Sequence, residues 1–123
     1  MRIYLSGPIS GTTDAEQRFG DAQKLLEEMG YEDIVNPSWL VKVLNPKTAD
    51  REDYMGICLD LLNGCCLMVQ LDGWQNSLGC QCEYGFARGR NIACMTLTEL
   101  QEQREDEEEE DEPWNSYCGL CLH

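Results

Sequence analysis

Hydrophobic residues first alternate along the chain and then change to the spacing of a helix. Residues 2–6, RIYLS, alternate and are rich in β-forming types, and the glycine-rich stretch GPISG follows them. Apolar residues recur three to four positions apart through residues 14–29, and Gly30 follows where many helices end. The start of the chain is therefore predicted to form a strand, a loop and a helix.

The same succession continues through the middle of the chain. EDIVNP predicts a short strand that ends at Pro37, and SWLVKVL predicts a short helix or a turn. Asp50 is a suitable N-cap for a helix that is expected to continue to about Leu62.

Two apolar runs follow, CCLMVQL at 65–71 and NIACMTL at 91–97, and both are typical of strands buried on both faces of a parallel sheet. Between them a helix is predicted from Gly79 to about Arg88. Thr98 is expected to cap a last helix that continues into an acidic segment.

Because strands and helices alternate, the pattern favours an α/β fold with right-handed crossovers. We expect a flavodoxin-like or Rossmann-like, doubly wound parallel sheet of four to five strands, in the order 2-1-3-4, within a three-layer α/β/α architecture. Such sheets bind ligands at the carboxyl ends of the strands where the strand order reverses. The loops SGPISG and DGWQNSLG leave the first and third strands there, so they are predicted to border one crevice.

Glu83 lies in the stretch SLGCQCEYGFA, which begins the helix after the second of these loops. Gly79 and Ala87 are four residues to either side, so the same helix face carries small residues that allow close packing on the sheet. This pattern draws Glu83 toward the crevice. The alternative is a solvated glutamate that pairs with Arg88 or Arg90.

Three further residues are candidates for the crevice. Ser77 is a natural N-cap, and a helix N-terminus among glycines also suits a phosphate or a sugar hydroxyl. Trp74 is expected either to stack on a flat ring or to cover an edge of the core. Tyr4, on the first strand, is a candidate for orienting a carboxylate, although alternation leaves its face open.

The composition fits one folded domain. The chain has 123 residues, of which 42% are hydrophobic, and no apolar run reaches the roughly 18 residues that a membrane helix needs. The N-terminus lacks the long apolar core of a signal peptide, so we expect a cytoplasmic protein. There, the eight cysteines would act as small buried hydrophobes, with disulfides or metal binding as the alternative.

Acidic residues are concentrated near the end of the chain. Residues 99–112 contain ten acids and one arginine, a net charge of −9 out of −14 for the whole chain. We therefore expect a domain at 1–98 and an acidic, flexible tail at 99–123, for which docking to a basic partner is the alternative role. Direct nucleic-acid binding is not expected of so acidic a chain.

The last residues are PWNSYCGLCLH. Cys118, Cys121 and His123 offer three zinc ligands, while the apolar residues among them favour docking on the body or on a partner. Docking is the preferred interpretation, and no metal or cofactor is expected.

Several motifs together resemble the nucleoside 2-deoxyribosyltransferase-like superfamily. They are IYLSGPISG, VNP after the second strand, DYM at the start of a helix, and LDGWQNSLGCQCEYGFARGRNI. Within the superfamily the chain is most similar to short, mostly phage and prophage proteins grouped as DUF4406, over roughly residues 1–97. A phage-encoded protein of this kind would act in the host cytoplasm.

The resemblance implies an N-glycosidase or a deoxyribosyltransferase with Glu83 as nucleophile. The carboxylate would attack C1′ of a 2-deoxyribose and expel the base, and water or a second base would resolve the glycosyl ester. Tyr4 would orient the nucleophile, and a homo-oligomer is implied. The substrate-binding residues are expected to be Ser6, Gly7, Ile9, Gly11, Trp74, Ser77 and Gly79.

Ser77 also bears on the substrate that the resemblance implies. Relatives that act on free nucleosides carry an aspartate six residues before the nucleophile, whereas relatives that hydrolyse nucleoside 5′-monophosphates carry a serine near the phosphate. A carboxylate would repel a phosphate, while a hydroxyl at a helix N-terminus favours one. We therefore expect a 5′-monophosphate as the small-molecule ligand.

The general acid departs from the superfamily's pattern. Cys58 occupies the position of an aspartate that helps to protonate the leaving base, Asp60 points to another side of the helix, and Cys66 replaces an aspartate common at the start of the third strand. Asp72, at the carboxyl end of that strand, is the candidate catalytic substitute. The alternative functions are nucleotide binding without turnover and an interaction through the acidic tail.

Overall fold

A four-stranded parallel sheet lies at the centre of the computed structural model, which describes residues 1–9, 12–44 and 47–110, without the side chains of 107–110. The strands are adjacent in the order β2-β1-β3-β4, as the sequence predicts. Their bounds are Arg2–Ser6 for β1, Asp33–Val35 for β2, Leu67–Gln70 for β3 and Ala93–Thr96 for β4.

Helices connect the strands and cover both faces of the sheet. Single 3₁₀ turns at Pro37–Trp39 and Trp74–Asn76 precede the second and the fourth helix. The five helices are α1 at Ala15–Glu28, α2 at Leu40–Val43, α3 at Arg51–Asn63, α4 at Leu78–Gly89 and α5 at Leu97–Glu110. The expected three-layer α/β/α architecture is confirmed.

Alternation along β1 divides the core into two layers. Ile3 and Leu5 are fully buried with residues of α1 and α5, whereas Tyr4 is fully buried with residues of α3 and α4. Burying an aliphatic side chain of this size contributes about 1.5–3 kcal/mol, so the alternation strongly fixes which face of β1 each residue takes. The face of Tyr4, which the sequence leaves open, is thereby settled.

Helix ends mostly follow the predicted signals. Asp50 accepts from the backbone N–H of Asp53 at 3.0 Å in a reciprocal capping box, and Gly30 follows α1 with a φ of +101°. The expectation for Thr98 is wrong, because α5 begins at Leu97. Its cap is Thr96, whose hydroxyl accepts from the N–H of Glu99 at 3.1 Å, since the pair has the Thr-x-x-Glu spacing of a capping box.

The beginning of α5 packs on the body of the protein. Leu100 is 4% exposed and lies in the core layer that Ile3 and Leu5 share with α1, called the α1 layer below. Arg104 donates to the carbonyl of Met29 and lies over the ring of Tyr31. The domain boundary after residue 98 stays a prediction. No helix in the described part of the chain combines the length and the apolar character that crossing a membrane requires.

Six cysteines lie within the described residues, and all six are free thiols. Cys58, Cys65 and Cys80 are buried, as expected of small hydrophobes, while Cys66 and Cys82 are exposed. Cys118, Cys121 and His123 lie outside the described residues.

Candidate active site

The sequence at the start of α4 allows this helix to pack close to its neighbours. Ser77 caps it, with its hydroxyl accepting from the N–H of Cys80 at 3.3 Å. Ala87 is fully buried, and a Cβ at Gly79 would come within 3.2 Å of the terminal methyl of Met55. On the same face, Glu83 is 6% exposed, so the prediction that it turns inward is confirmed.

Both oxygens of the Glu83 carboxylate accept hydrogen bonds from β1. The hydroxyl of Tyr4 donates to Oε2, and the hydroxyl of Ser6 donates to Oε1 at 2.8 Å. Tyr4 and Ser6 are two positions apart in β1, so their side chains lie on the same face of the sheet and both contact the carboxylate. The sequence placed Ser6 in the loop below a substrate, and its contact with Glu83 was not anticipated.

The environment of Glu83 acts on its acidity in two opposing directions. Burial raises the pKa of Glu83, while the hydrogen bonds from Tyr4 and Ser6 lower it, and the net shift is upward. Burial, and then the nearby negative charge of Glu83, raise the pKa of Tyr4, which keeps its phenol neutral and able to donate. The site therefore holds an ionisable carboxylate with neutral hydroxyl donors.

Glu83 lies in the wall of a cavity of about 660 Å³. Loops after β1 and β3 form part of the wall, as expected for the point where strand order reverses, and the segment after β2 forms another part. The volume is in the range of small-molecule sites. From these segments the lining residues are Gly7, Pro8, Ile9, Pro37, Leu40, Val41, Gly73 and Asn76.

The structure brings most of the predicted site residues together. Tyr4 and Ser6 bond to Glu83, and Gly11 lies outside the described residues. The predicted residues that line the cavity are Gly7, Ile9, Ser77, Gly79 and Glu83.

Asp72 and Trp74 are not among the described residues that line the cavity. Asp72 is exposed, because β3 ends at Gln70 and alternation no longer directs the residues beyond it. Trp74 packs on Tyr84 with ring centroids 5.1 Å apart, which fits the alternative that it covers an edge of the core. The structure therefore does not bring these two side chains to the cavity with the other predicted residues.

One wall of the cavity comes from α3, of which the resemblance had placed only Cys58 at the site. Arg51, Tyr54, Met55 and Cys58 face the cavity at the i, i+3, i+4 and i+7 spacing of one helix side. The spacing is visible in the sequence, but apart from the resemblance at Cys58 nothing in the sequence indicates that this face borders a crevice. Within the described ranges, no three His, Cys, Asp or Glu side chains lie close enough together to hold a metal ion.

Two thiols lie at the edge of the carboxylate site. Burial raises the pKa of Cys58 to about 11, although the neighbouring hydroxyl of Tyr4 lowers it. Burial also raises the pKa of Cys80, which the hydroxyls of Ser77 and Ser6 lower. Both thiols are therefore protonated and uncharged near neutral pH.

The match to a known protein family covers the whole candidate site. A family model described as a domain of unknown function, DUF4406, matches residues 1–96, which include all four strands and every cavity-lining residue. No curated protein matches the chain.

Proposed function

The chain belongs to the DUF4406 family, and we propose that it is an N-glycosidase or a deoxyribosyltransferase that cleaves the N-glycosidic bond of (deoxy)nucleoside 5′-monophosphates. One observation carries the proposal: Glu83 is a buried carboxylate held at both oxygens in the wall of a cavity large enough for a nucleotide. The motifs that resemble the nucleoside 2-deoxyribosyltransferase-like superfamily agree with it.

In the proposed reaction, Glu83 acts as a nucleophile toward C1′ of the sugar. An oxygen of the carboxylate bonds to C1′ as the base leaves, and water or a second base then resolves the glycosyl ester with overall retention. Tyr4 and Ser6 fix the plane of the carboxylate, because each oxygen has its own donor from a rigid strand. The attacking group is thus oriented before the substrate binds.

A 5′-phosphate fits the end of the cavity where α4 begins. Ser77 and Gly79 line the cavity at the N-terminus of this 12-residue helix, where the helix dipole favours an anion. Arg51 lines the cavity from α3 and is the only cationic side chain among the described lining residues. In a chain with a net charge of −14, this local cation favours a phosphate over a neutral sugar end.

A second candidate function is nucleotide binding without turnover, for example to sequester a nucleotide signal. It is favoured because, among the described residues that line the cavity, Glu83 is the only one with a carboxyl group. An interaction role for the acidic tail, self-association into a homo-oligomer and a phage origin stay predictions.

Incubating the full chain with a panel of deoxynucleoside 5′-monophosphates, followed by chromatography for free base, tests the first function. Base release by the wild type and by Glu27→Gln, an exposed control on α1, should be lost in Glu83→Gln. Undiminished release by Glu83→Gln would reject Glu83 as nucleophile. If no base appears while a nucleotide raises the melting temperature, the second function holds.

A further inference from the structure

The proposed reaction needs Glu83 in its ionised form, which leaves open where the departing base obtains a proton. Glu83 is the only carboxyl group among the described cavity-lining residues, and it cannot both attack as an anion and donate a proton in the same step. Asp72 is exposed and away from the lining, so it does not fill this role.

The two thiols of the lining are poor acids. Cys58 has a pKa of about 11, burial raises the pKa of Cys80, and Tyr54 and Arg51 offer a phenol and a guanidinium. Tyr4 is neutral and its hydroxyl hydrogen is engaged with Glu83. A general acid matched to neutral pH typically contributes about 10²–10⁴-fold in rate. Neither thiol is matched to that pH, and the described lining holds no imidazole and no second carboxyl group.

We infer that the described site cleaves the glycosidic bond without protonating the leaving base, and that its substrates are therefore nucleotides whose base is stable as an anion. This inference rests on the proposed function and names the substrate class for the same site. The favoured bases are electron-poor pyrimidines, in which electron-withdrawing substituents spread the negative charge of the departing ring.

The bonds and charges balance without a protein acid. An oxygen of Glu83 bonds to C1′ as the C1′–N bond breaks, and the electron pair of that bond leaves with the base as its anion, which then takes a proton from water. A water molecule next attacks C1′ and the ester bond breaks. Glu83 returns as a carboxylate, and the proton of the attacking water passes to solvent.

The test compares bases of equal size and different acidity. Single-turnover base release is measured for 2′-deoxyuridine 5′-monophosphates with hydrogen or fluorine at C5, and with methyl or chlorine at C5. In both pairs the halogenated base should leave faster, by about 5- to 10-fold for each unit by which its pKa is lower than that of its partner in the pair. Equal rates within both pairs would overturn the inference, because they would show that a proton reaches the base during cleavage.

A substitution at Cys58 supplies the missing proton donor. Cys58→Asp places a carboxyl group in the α3 wall of the cavity, and Cys58→Asn is its control of similar size without an acid. We expect Cys58→Asp to bring the fluorine-to-hydrogen rate ratio toward one and to add a falling limb at high pH, while Cys58→Asn keeps the steep ratio. A ratio that is unchanged in a folded, active Cys58→Asp also counts against the inference.

The two proposals fail in different ways. Release of base from every member of the series at similar rates overturns only the inference, since a glycosidase is then present. If no member of the series releases base, the proposed enzyme function is overturned, and this inference with it.

Discussion

The hydroxyl of Tyr4 donates a hydrogen bond to the carboxylate of Glu83, although the two residues are 79 positions apart in the chain. Tyr4 is fully buried in β1, and Glu83 lies on α4 after the third strand. The contact therefore links the first strand to the helix that follows its neighbour in the sheet. It ties the acidity of Glu83 to the packing of the core.

Replacing Tyr4 by Phe should lower kcat/KM by about 10- to 100-fold, which corresponds to one hydrogen bond to a charged group. In the wild type the hydrogen bond from Tyr4 lowers the pKa of Glu83. Its loss should therefore raise that pKa and move the rising limb of the pH–rate profile to higher pH. Tyr84→Phe, which packs on Trp74 away from the cavity, is the control. A uniform loss of rate with no movement of the limb would contradict an effect through Glu83.

The stability of Glu83→Gln relative to the wild type should be higher at pH 8 than at pH 4.5. The pKa of Glu83 is raised in the folded state, so its contribution to stability is fully present below the pKa of the unfolded chain, ordinarily about 4.3, and is lost as pH rises through the folded value. Glutamine escapes this loss. Urea unfolding of both proteins at each pH gives the difference, with Glu27→Gln as the control for removing one charge, and a difference that shrinks with pH would refute the sign.

A side chain at Gly7 would be packed tightly against the core beside the cavity. A Cβ there would lie 3.1 Å from Cβ of Leu71 and 3.2 Å from Cζ of Phe19, both in the buried α1 layer. Gly7→Ala should therefore destabilise the protein by about 1–3 kcal/mol in urea unfolding. Gly20→Ala is the matched control, because its Cβ meets nothing within 4 Å on α1 and should stabilise by about 0.5–1 kcal/mol.

Ser77→Asp and Arg51→Gln test the phosphate end of the cavity. Aspartate can still cap α4, but its charge should weaken binding of a 5′-monophosphate by about 10- to 100-fold and leave the free nucleoside nearly unchanged. Arg51→Gln should show the same preference, and Arg88→Gln, an exposed arginine outside the cavity lining, should show none. Titration calorimetry with both ligands measures the ratio of the two dissociation constants. If both ligands bind more weakly by the same factor, Ser77 acts only as the N-cap of α4.

Much of the site follows from the sequence because local rules act together. The alternation of strands and helices predicts the parallel order that the sheet adopts, and the small residues Gly79 and Ala87 account for the inward face of Glu83. These are statements about spacing and size, which a sequence contains. The buried position of Glu83 could therefore be predicted before its partners were known.

The remaining features depend on three-dimensional neighbours. The helical spacing of Arg51, Tyr54 and Met55 is visible in the sequence, but only the packed α3 shows that these residues border the cavity. Trp74 looks the same in the sequence in either of its two predicted roles, and only the fold shows that it packs on Tyr84. Thr96 and Thr98 are both good caps, and the choice depends on where β4 stops pairing with β3.

The register of β1 has a consequence for folding as well as for chemistry. Tyr4 pairs with Met68 and Ser6 with Gln70, so both hydroxyls face α4 only in this alignment. If β1 slipped by one residue, Ile3 and Leu5 would meet the carboxylate and both hydroxyls would turn into the opposite apolar layer. A misaligned strand would thus remove both anchors of Glu83 at once, and turnover would report on correctly folded molecules alone.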